Sequence, residues 1–446
     1  MERSSQVRLP VVSISRRGAD RIRAGHVWVY RSDVIEAAGA RPGAVVLVQE
    51  QAGTGAKNHA DKSVRATRGL SDKNVRPTRA ASPRILGSAF YSSASEIAIR
   101  MISPKPVEDV EQLVRERIRA AINYRERFVQ DTNAYRVIFS EGDFLPGLIV
   151  DKYNDILSLQ VLTQAWGSEP MRRIFLSELQ EALRPRAIVE RVDPRVRRLE
   201  QLPEKESGVL QETSDDPTLV ANSAAGMRHP PGAPTTRTEF QMNGVRFVYD
   251  ALGGQKTGAF LDQRENYASA AQYAKGEALD VFTYQGGFAL HLARVCERVT
   301  GVDSSRPALE SADENAGLNG REIEWIEANA FDLLRDYSDT GKKYDTIVLD
   351  PPAFAKSRQT RDTALRGYKE LNLRALKMLQ PGGILVTCSC SYHVGAADLL
   401  EVLASAAQDS HRIVRILENR GQAKDHPNVL GIPETAYLKC LIATVS

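Results

Sequence analysis

The sequence predicts an α/β protein whose C-terminal half is a doubly wound, mostly parallel sheet, preceded by a small β module and a mixed α+β segment. Three observations predict it. Five strand-and-helix alternations run from Ala278 to Cys390, short β-type runs broken by Gly and Pro fill the first hundred residues, and an apolar-striped helix with several strands lies between them. With 446 residues, 42% hydrophobic and 26% charged, the composition is that of a globular chain of two or three domains. They are placed at 1–103, 104–250 and 251–446.

In the first segment the β-type runs are Leu9 to Ile14, His26 to Tyr30 and Ala44 to Gln49, resuming at Ile85 to Tyr91 and Glu96 to Ile102. Residues 52–84 interrupt them with Lys57, Lys62, Arg65, Arg68, Lys73, Arg76, Arg79 and Arg84 against Asp61 and Asp72. Too little apolar surface is present there to fold, so the stretch reads as a basic insertion between two strands. From Pro106, the apolar residues Val107, Val110, Leu113, Val114, Ile118, Ala121 and Ile122 recur at helical spacing. Strands at Ala134 to Phe139, Leu148 to Val150 and Ile156 to Leu162, a helix at Met171 to Leu183 and a strand at Ala187 to Arg191 follow. Residues 203–236 are a second low-complexity stretch, read as an insertion or linker.

The regular alternation comprises strands at Ala278 to Phe282, Val299 to Asp303, Ile323 to Glu327, Tyr344 to Asp350 and Gly383 to Cys390. Helices at Gly287 to Cys296, Pro307 to Leu318, Phe331 to Asp336 and Leu365 to Leu379 stand between them. Runs at Ile413 to Glu418 and Tyr437 to Val445 are suited to close the sheet as an antiparallel pair. Ligands of such sheets bind beyond the carboxyl ends of the strands.

The net charge of +3 is slight, so any grip on a polyanion has to come from local basic clusters. Four cysteines without metal-ligand spacing point to free thiols, no metal and a reducing compartment. No signal-peptide core or run of roughly 18 apolar residues is present, so a cytoplasmic protein without a membrane partner is expected.

After the first strand of the regular sheet comes Asp280-Val-Phe-Thr-Tyr-Gln-Gly286-Gly287-Phe288, where paired glycines allow close backbone approach to a ligand and open a helix. The second strand ends on Asp303, from which a carboxylate can accept hydrogen bonds from both ribose hydroxyls of an adenosine. These features imply a nucleoside cofactor without separating a nicotinamide from S-adenosylmethionine. Asp350-Pro351-Pro352-Ala353-Phe354 separates them, because a dehydrogenase has no use for it. Two prolines stiffen the turn so that Asp350 can hydrogen-bond a base edge while Phe354 stacks on its face, as for a flipped base. Thr387-Cys388-Ser389-Cys390-Ser391 then offers two thiols at the end of the fifth strand. Carbon 5 of a pyrimidine becomes nucleophilic only after a thiolate adds to carbon 6, which gives a positioned Cys a purpose. Cys388 and Cys390 stand at i and i+2, so periodicity does not choose between them; Cys296 and Cys440 lie in apolar runs and read as core.

At these residues the sequence resembles the bacterial large-subunit ribosomal RNA cytosine-5 methyltransferase I family over nearly the whole chain. The resemblance is carried by Lys256-Thr-Gly-Ala-Phe-Leu-Asp-Gln-Arg264, Phe282-Thr-Tyr-Gln-Gly-Gly-Phe288, Asp350-Pro-Pro-Ala-Phe354, Gly367-Tyr-Lys369, Ser389-Cys-Ser391 and Asp425-His-Pro427. Gly25-His-Val-Trp-Val-Tyr30 looks like the start of that family's RNA-binding PUA β-barrel, and Glu141-Gly-Asp-Phe-Leu-Pro-Gly147 like its central domain. The two insertions and the thiol of Cys388 depart from the family pattern.

The resemblance implies a Rossmann-like class I methyltransferase domain that takes S-adenosylmethionine and acts on ribosomal RNA rather than DNA, with a homodimer left open. It implies Cys390 as the nucleophile, since the family lacks a Cys after its Asp-Pro-Pro and Ala353 stands there in this chain. Asp350 is then expected to hold the pyrimidine between Pro351, Pro352 and Phe354, and Asp303 to bind the ribose. Phe282, Tyr284, Gly286, Gly287 and Phe288 are expected to shape the methionine pocket, and Asn329 and Asp332 to meet the adenine. Asp262, Gln263 and Arg264 are candidates to line the cofactor site, while His426 and His393 read as structural. The base for the carbon-5 proton is unassigned, with water or Cys388 as choices. The rivals are methylation of a nitrogen, which needs no thiol, an RNA-binding assembly factor without turnover, and a small-molecule methyltransferase.

Overall fold

A computed structural model describes residues 9–51, 84–212, 236–253, 258–355 and 358–446. Nearly all of the basic insertion, residues 213–235 of the second stretch and Lys256 lie outside them. The chain divides into two compact units. One holds the residues up to Val114 with Thr163–Arg172 and Arg195–Pro203, the other Arg115–Leu162, Arg173–Pro194 and everything from Glu204 onward.

The first unit is built on β1 (Val11–Ile14), α1 (Arg16–Arg23), β2 (Trp28–Tyr30), β3 (Val34–Glu36), β4 (Val45–Glu50), β5 (Ile85–Tyr91) and β6 (Ile97–Ser103), in the sheet order β2-β6-β5-β4-β1-β3. Helix α1 was not foreseen, because an arginine-rich segment shows little apolar stripe. It forms because Ser15 caps it, accepting from the Gly18 N–H (3.1 Å) and donating to the buried Asp33 (2.7 Å), which also pairs with Arg17.

Next come α2 (Val110–Phe128), β7 (Ala134–Phe139), β8 (Leu148–Tyr153), β9 (Ile156–Val161), α3 (Glu169–Leu183), β10 (Ala187–Glu190), α4 (Pro194–Leu199) and β11 (Gly208–Glu212). Strands β7 to β11 form one sheet in the order β11-β10-β9-β8-β7. Strand β11 corrects the expectation of an unstructured linker from residue 203. It is a polar edge strand, made regular by antiparallel pairing to β10 rather than by burial. A hairpin of β12 (Arg237–Met242) and β13 (Val245–Asp250) leads into the C-terminal domain.

That domain contains α5 (Arg264–Tyr273), β14 (Glu277–Val281), α6 (Gly287–Leu292), β15 (Arg298–Asp303), α7 (Arg306–Leu318), β16 (Glu324–Glu327), α8 (Ala330–Asp339), β17 (Tyr344–Leu349), α9 (Arg361–Met378), β18 (Leu379–Ser389), α10 (Ala396–Asp409), β19 (Val414–Arg420) and β20 (Lys439–Val445). The sheet order is β16-β15-β14-β17-β18-β20-β19, parallel through β18, with β20 antiparallel to both neighbours as the last two runs suggested. Alternate residues of β14 feed opposite cores: Ala278 packs with Tyr267, Phe288 and Ala316 on one face, and Leu279 and Val281 with Leu333, Leu371 and Leu399 on the other. The strand order reverses between β14 and β17, which opens the crevice at their carboxyl ends. The central sheet shares the first of these cores: Ala134, Tyr153 and Val189 are buried with Phe240, Phe247 and Tyr267.

Candidate active site

The turn after β14 is wound tightly. Phe282 (φ 68°), Tyr284 (φ 52°) and Gly286 (φ 81°) all take left-handed conformations, which is unusual for two aromatic residues. Asp280 holds the turn by accepting from the Thr283 hydroxyl (2.6 Å) and the Ala289 N–H (2.9 Å), and burial pushes its carboxyl up to about 7. Asp303 accepts from the Tyr284 N–H (3.0 Å) and the Ser305 N–H (2.9 Å), which fixes its carboxylate at the end of β15. Gly287 has a packing reason in addition to any ligand: a Cβ there would lie 2.5 Å from the Tyr267 hydroxyl oxygen. Phe288 is core, edge-on to Tyr267, so it shapes the turn from beneath. Asn329 spends its side-chain oxygen capping α8, and Asp332 stands exposed beside Arg335.

Beyond β17, Asp350 accepts from the Gln263 amide (3.0 Å), and Gln263 is in turn held by Asn266 (2.6 Å). Burial, with the Asp262 and Asp280 carboxylates nearby, raises Asp350 to about 8. Asp262 accepts from the Tyr437 hydroxyl (2.6 Å). Pro351 is buried and Pro352 exposed, while Phe354 leans on Tyr368 (4.9 Å between centroids) and Phe331 (5.9 Å).

A buried hydroxyl network ties this turn to the cysteine segment. Ser391 Oγ accepts from the Ala355 N–H (3.2 Å) and meets the Tyr368 hydroxyl (2.9 Å), which also accepts from Ser389 Oγ (2.9 Å). Tyr368, in the middle of Gly367-Tyr-Lys369, therefore locks both motifs together. Cys390 is partly buried just past the end of β18, with Sγ 4.0 Å from the Pro351 carbonyl oxygen. Burial, then the Asp350 and Asp262 carboxylates, push its thiol up to about 11. Cys388, one step inside the strand, is fully buried opposite Cys440 in the core, so the two thiols do not share an accessible face.

Not every candidate converges. The Arg264 guanidinium is buried against Asp425 (3.1 Å) and the Gln130 carbonyl (3.1 Å), which makes it a structural group rather than a wall of the cofactor site. His426 is buried beside Asp425 and the Phe139 ring, as expected of a structural histidine. Sequence reasoning quoted the motifs that hold Gln263 and Tyr368 but missed the Gln263–Asp350 bond and the Tyr368 network, whose partners lie far along the chain, and it missed Lys439, which has no local signature.

The comparisons with known proteins bear on this geometry. A model of S-adenosylmethionine-dependent methyltransferases matches residues 221–442, and a PUA-like domain model matches residues 12–54. The ribosomal RNA large subunit methyltransferase I of Tolumonas auensis is 37% identical over 366 residues, covering 80% of this chain and 87% of its own. That of Shewanella denitrificans is 36% identical over 370 residues, covering 81% and 88%. This chain belongs to the ribosomal RNA large subunit methyltransferase I family. This member of the methyltransferase I family carries an N-terminal PUA-like domain and a Rossmann-like domain that takes S-adenosylmethionine.

A solved S-adenosylmethionine-dependent methyltransferase from Streptococcus mutans superposes with a TM-score of 0.72 over 98% of this chain and all of that one, at 16% identity, which speaks for the fold. The residues of this family member fit the cofactor. Among the described residues, Asp280 Oδ1 and Gln285 Oε1 are buried polar atoms without partners beside the glycine turn, and the Asp303 carboxylate stands across it. Unpartnered acceptors of this kind suit a ligand carrying an ammonium group and ribose hydroxyls.

Proposed function

We propose that this protein methylates carbon 5 of a cytosine in large-subunit ribosomal RNA through a covalent adduct with Cys390. The observation that carries this reading is the juxtaposition of the two motifs: Cys390 Sγ lies 4.0 Å from the carbonyl of Pro351, next to Asp350, at the carboxyl edge of neighbouring strands β17 and β18. Bound S-adenosylmethionine supplies an electrophilic methyl group. The Cys390 thiolate adds to carbon 6, and the electron pair of the carbon 5–carbon 6 bond takes up the methyl at carbon 5. Loss of the carbon-5 proton to water and cleavage of the sulfur–carbon 6 bond then restore the ring and release the thiolate. Raised to about 8, Asp350 is protonated at neutral pH and donates to N3 of the base as the adduct forms.

The test is incubation with radiolabelled S-adenosylmethionine and unmodified large-subunit ribosomal RNA, followed by digestion to nucleosides and chromatography. Label in 5-methylcytosine supports the reading, and label in any other nucleoside ends it. Two further outcomes follow. Asp303→Ala is expected to weaken S-adenosylmethionine binding by roughly 10- to 100-fold in calorimetry, the range for losing hydrogen bonds to a charged group; an unchanged Kd would remove Asp303 from the site. In the pH profile of kcat/KM, the rate should rise with thiolate up to about pH 8 and then level, because each further unit gains thiolate but loses protonated Asp350. With Asp350→Asn, which donates at every pH, the rise should continue to pH 9.5. Identical profiles in the two proteins would show that Asp350 does not act as an acid.

A further inference from the structure

We propose that Lys439 is the charge partner that stabilises the thiolate of Cys390. The proposal rests on Cys390 being the nucleophile and adds the group that favours its charged form. Lys439 opens β20 directly opposite Ser389. Its side chain folds back under the cysteine segment, only 8% exposed, and the ammonium donates to the carbonyls of Ser391 (2.7 Å) and Tyr437 (2.8 Å). Ser391 follows Cys390 directly, so the cation is fastened to the backbone that carries the thiol.

Among the described residues no carboxylate lies within 4.0 Å of this ammonium. Two neutral carbonyls compensate a buried cation poorly, and a lysine in that position either gives up its proton or finds an anion. The charged and titratable groups that face Lys439 are Cys390 and Asp398; those that face Cys390 are Asp350, Asp262, Tyr368 and Lys439. Asp262, and Asp350 once it is ionised, oppose the ionisation of the thiol, and Lys439 favours it. Burial draws the lysine down only to about 8, so near neutral pH most of it keeps its charge. The thiol gives its proton to solvent water, the electron pair stays on sulfur, and the ammonium held beside it lowers the cost of the negative charge left behind. The site gains a nucleophile without importing net charge, which a buried pocket would resist.

The sequence hides this residue. Tyr437-Leu-Lys439 opens the last strand 49 residues after Cys390 with no motif around it, and only the antiparallel insertion of β20 beside β18 brings the two together.

The experiment measures alkylation of Cys390 by iodoacetamide against pH, read at that residue by mass spectrometry, in the wild type and in Lys439→Met and Lys439→Arg. Circular dichroism and thermal melting accompany each variant, with Lys439→Gln replacing a Met variant that does not fold. Removing the charge should move the alkylation profile upward by at least one pH unit, a tenfold loss of reactivity at pH 7.5, and Arg should restore most of it. Single-turnover methylation should fall at least as far in Lys439→Met. A folded Lys439→Met or Lys439→Gln protein with the wild-type alkylation profile overturns the proposal. Because the alkylation readout needs neither RNA nor cofactor, it separates this outcome from failure of the nucleophile reading, which shows instead as methylation that survives Cys390→Ala.

Discussion

Cys390→Ala is expected to lose methyl transfer by about 10⁴-fold or more, on the scale seen when an enzyme's nucleophile is deleted, while S-adenosylmethionine binding is retained. The size of the loss follows from chemistry and from geometry. Carbon 5 of cytosine does not attack a sulfonium methyl until carbon 6 carries a nucleophile, so no partial route remains. No second thiol can substitute. Cys388 is fully buried in the core opposite Cys440, and burial holds its thiol well above the ordinary value. Cys388→Ala should accordingly change turnover only a few-fold and cost about 1 kcal/mol of stability as a small core truncation. Single-turnover incorporation of labelled methyl into RNA measures both. Activity that survives Cys390→Ala removes the adduct from the mechanism and leaves methylation of a nitrogen, for which Asp350 and Phe354 suffice as positioning groups. Activity that instead falls with Cys388→Ala would require β18 to expose a different face than the one described.

What could be read in the sequence was local. Gly286-Gly287, Asp303 and Asp350-Pro351-Pro352 are each short segments whose residue types state their own geometry, and the strand alternation that presents them repeats within a few residues. The regular sheet was legible for the same reason. The choice between Cys388 and Cys390 came from the resemblance around Ser389-Cys-Ser391 and not from spacing, because a separation of two residues says nothing about where a strand ends. The strand ends at Ser389, which leaves Cys388 under Cys440 and Cys390 beyond the last pair of the ladder. Arg264 was misplaced because its partner lies 161 residues away, and a charged residue in a motif reads as a ligand contact until its counter-ion is known. Helix α1 and strand β11 escaped because a cap and an edge pairing, rather than periodic burial, hold them.

Asp425→Asn is expected to be the most destabilising single substitution of near-equal size in the second unit. Asp425 is fully buried and accepts from Arg264 (3.1 Å) and from the Arg136 N–H (2.9 Å), while its own carbonyl accepts from Arg125 (2.7 Å). Arg136 is itself held by two bonds to Asp151 (2.7 and 2.9 Å). One carboxylate thus fastens the segment that carries Tyr437 and Lys439 to strand β7 and to the start of α5. Replacing it by an amide leaves the buried Arg264 guanidinium with only the longer contact to the partly exposed Glu265 (3.6 Å), a loss of about 3 kcal/mol, lowering Tm by on the order of 10 °C. Burial alone would raise the Asp425 carboxyl, but His426, Arg264 and the Arg136 N–H outweigh it and hold it well below the usual carboxylate range. Its contribution to stability is therefore complete above the unfolded value near ~3.9 and is lost as pH falls through the lower folded value. Denaturant titrations of both proteins between pH 7 and pH 3 should show a constant gap down to about pH 4 that narrows below it. Arg264→Met with Asp425→Leu should recover part of the loss, since no buried charge is then left alone. A gap that is small at pH 7, or that widens on acidification, would mean that the ion pair is not what holds this segment in place.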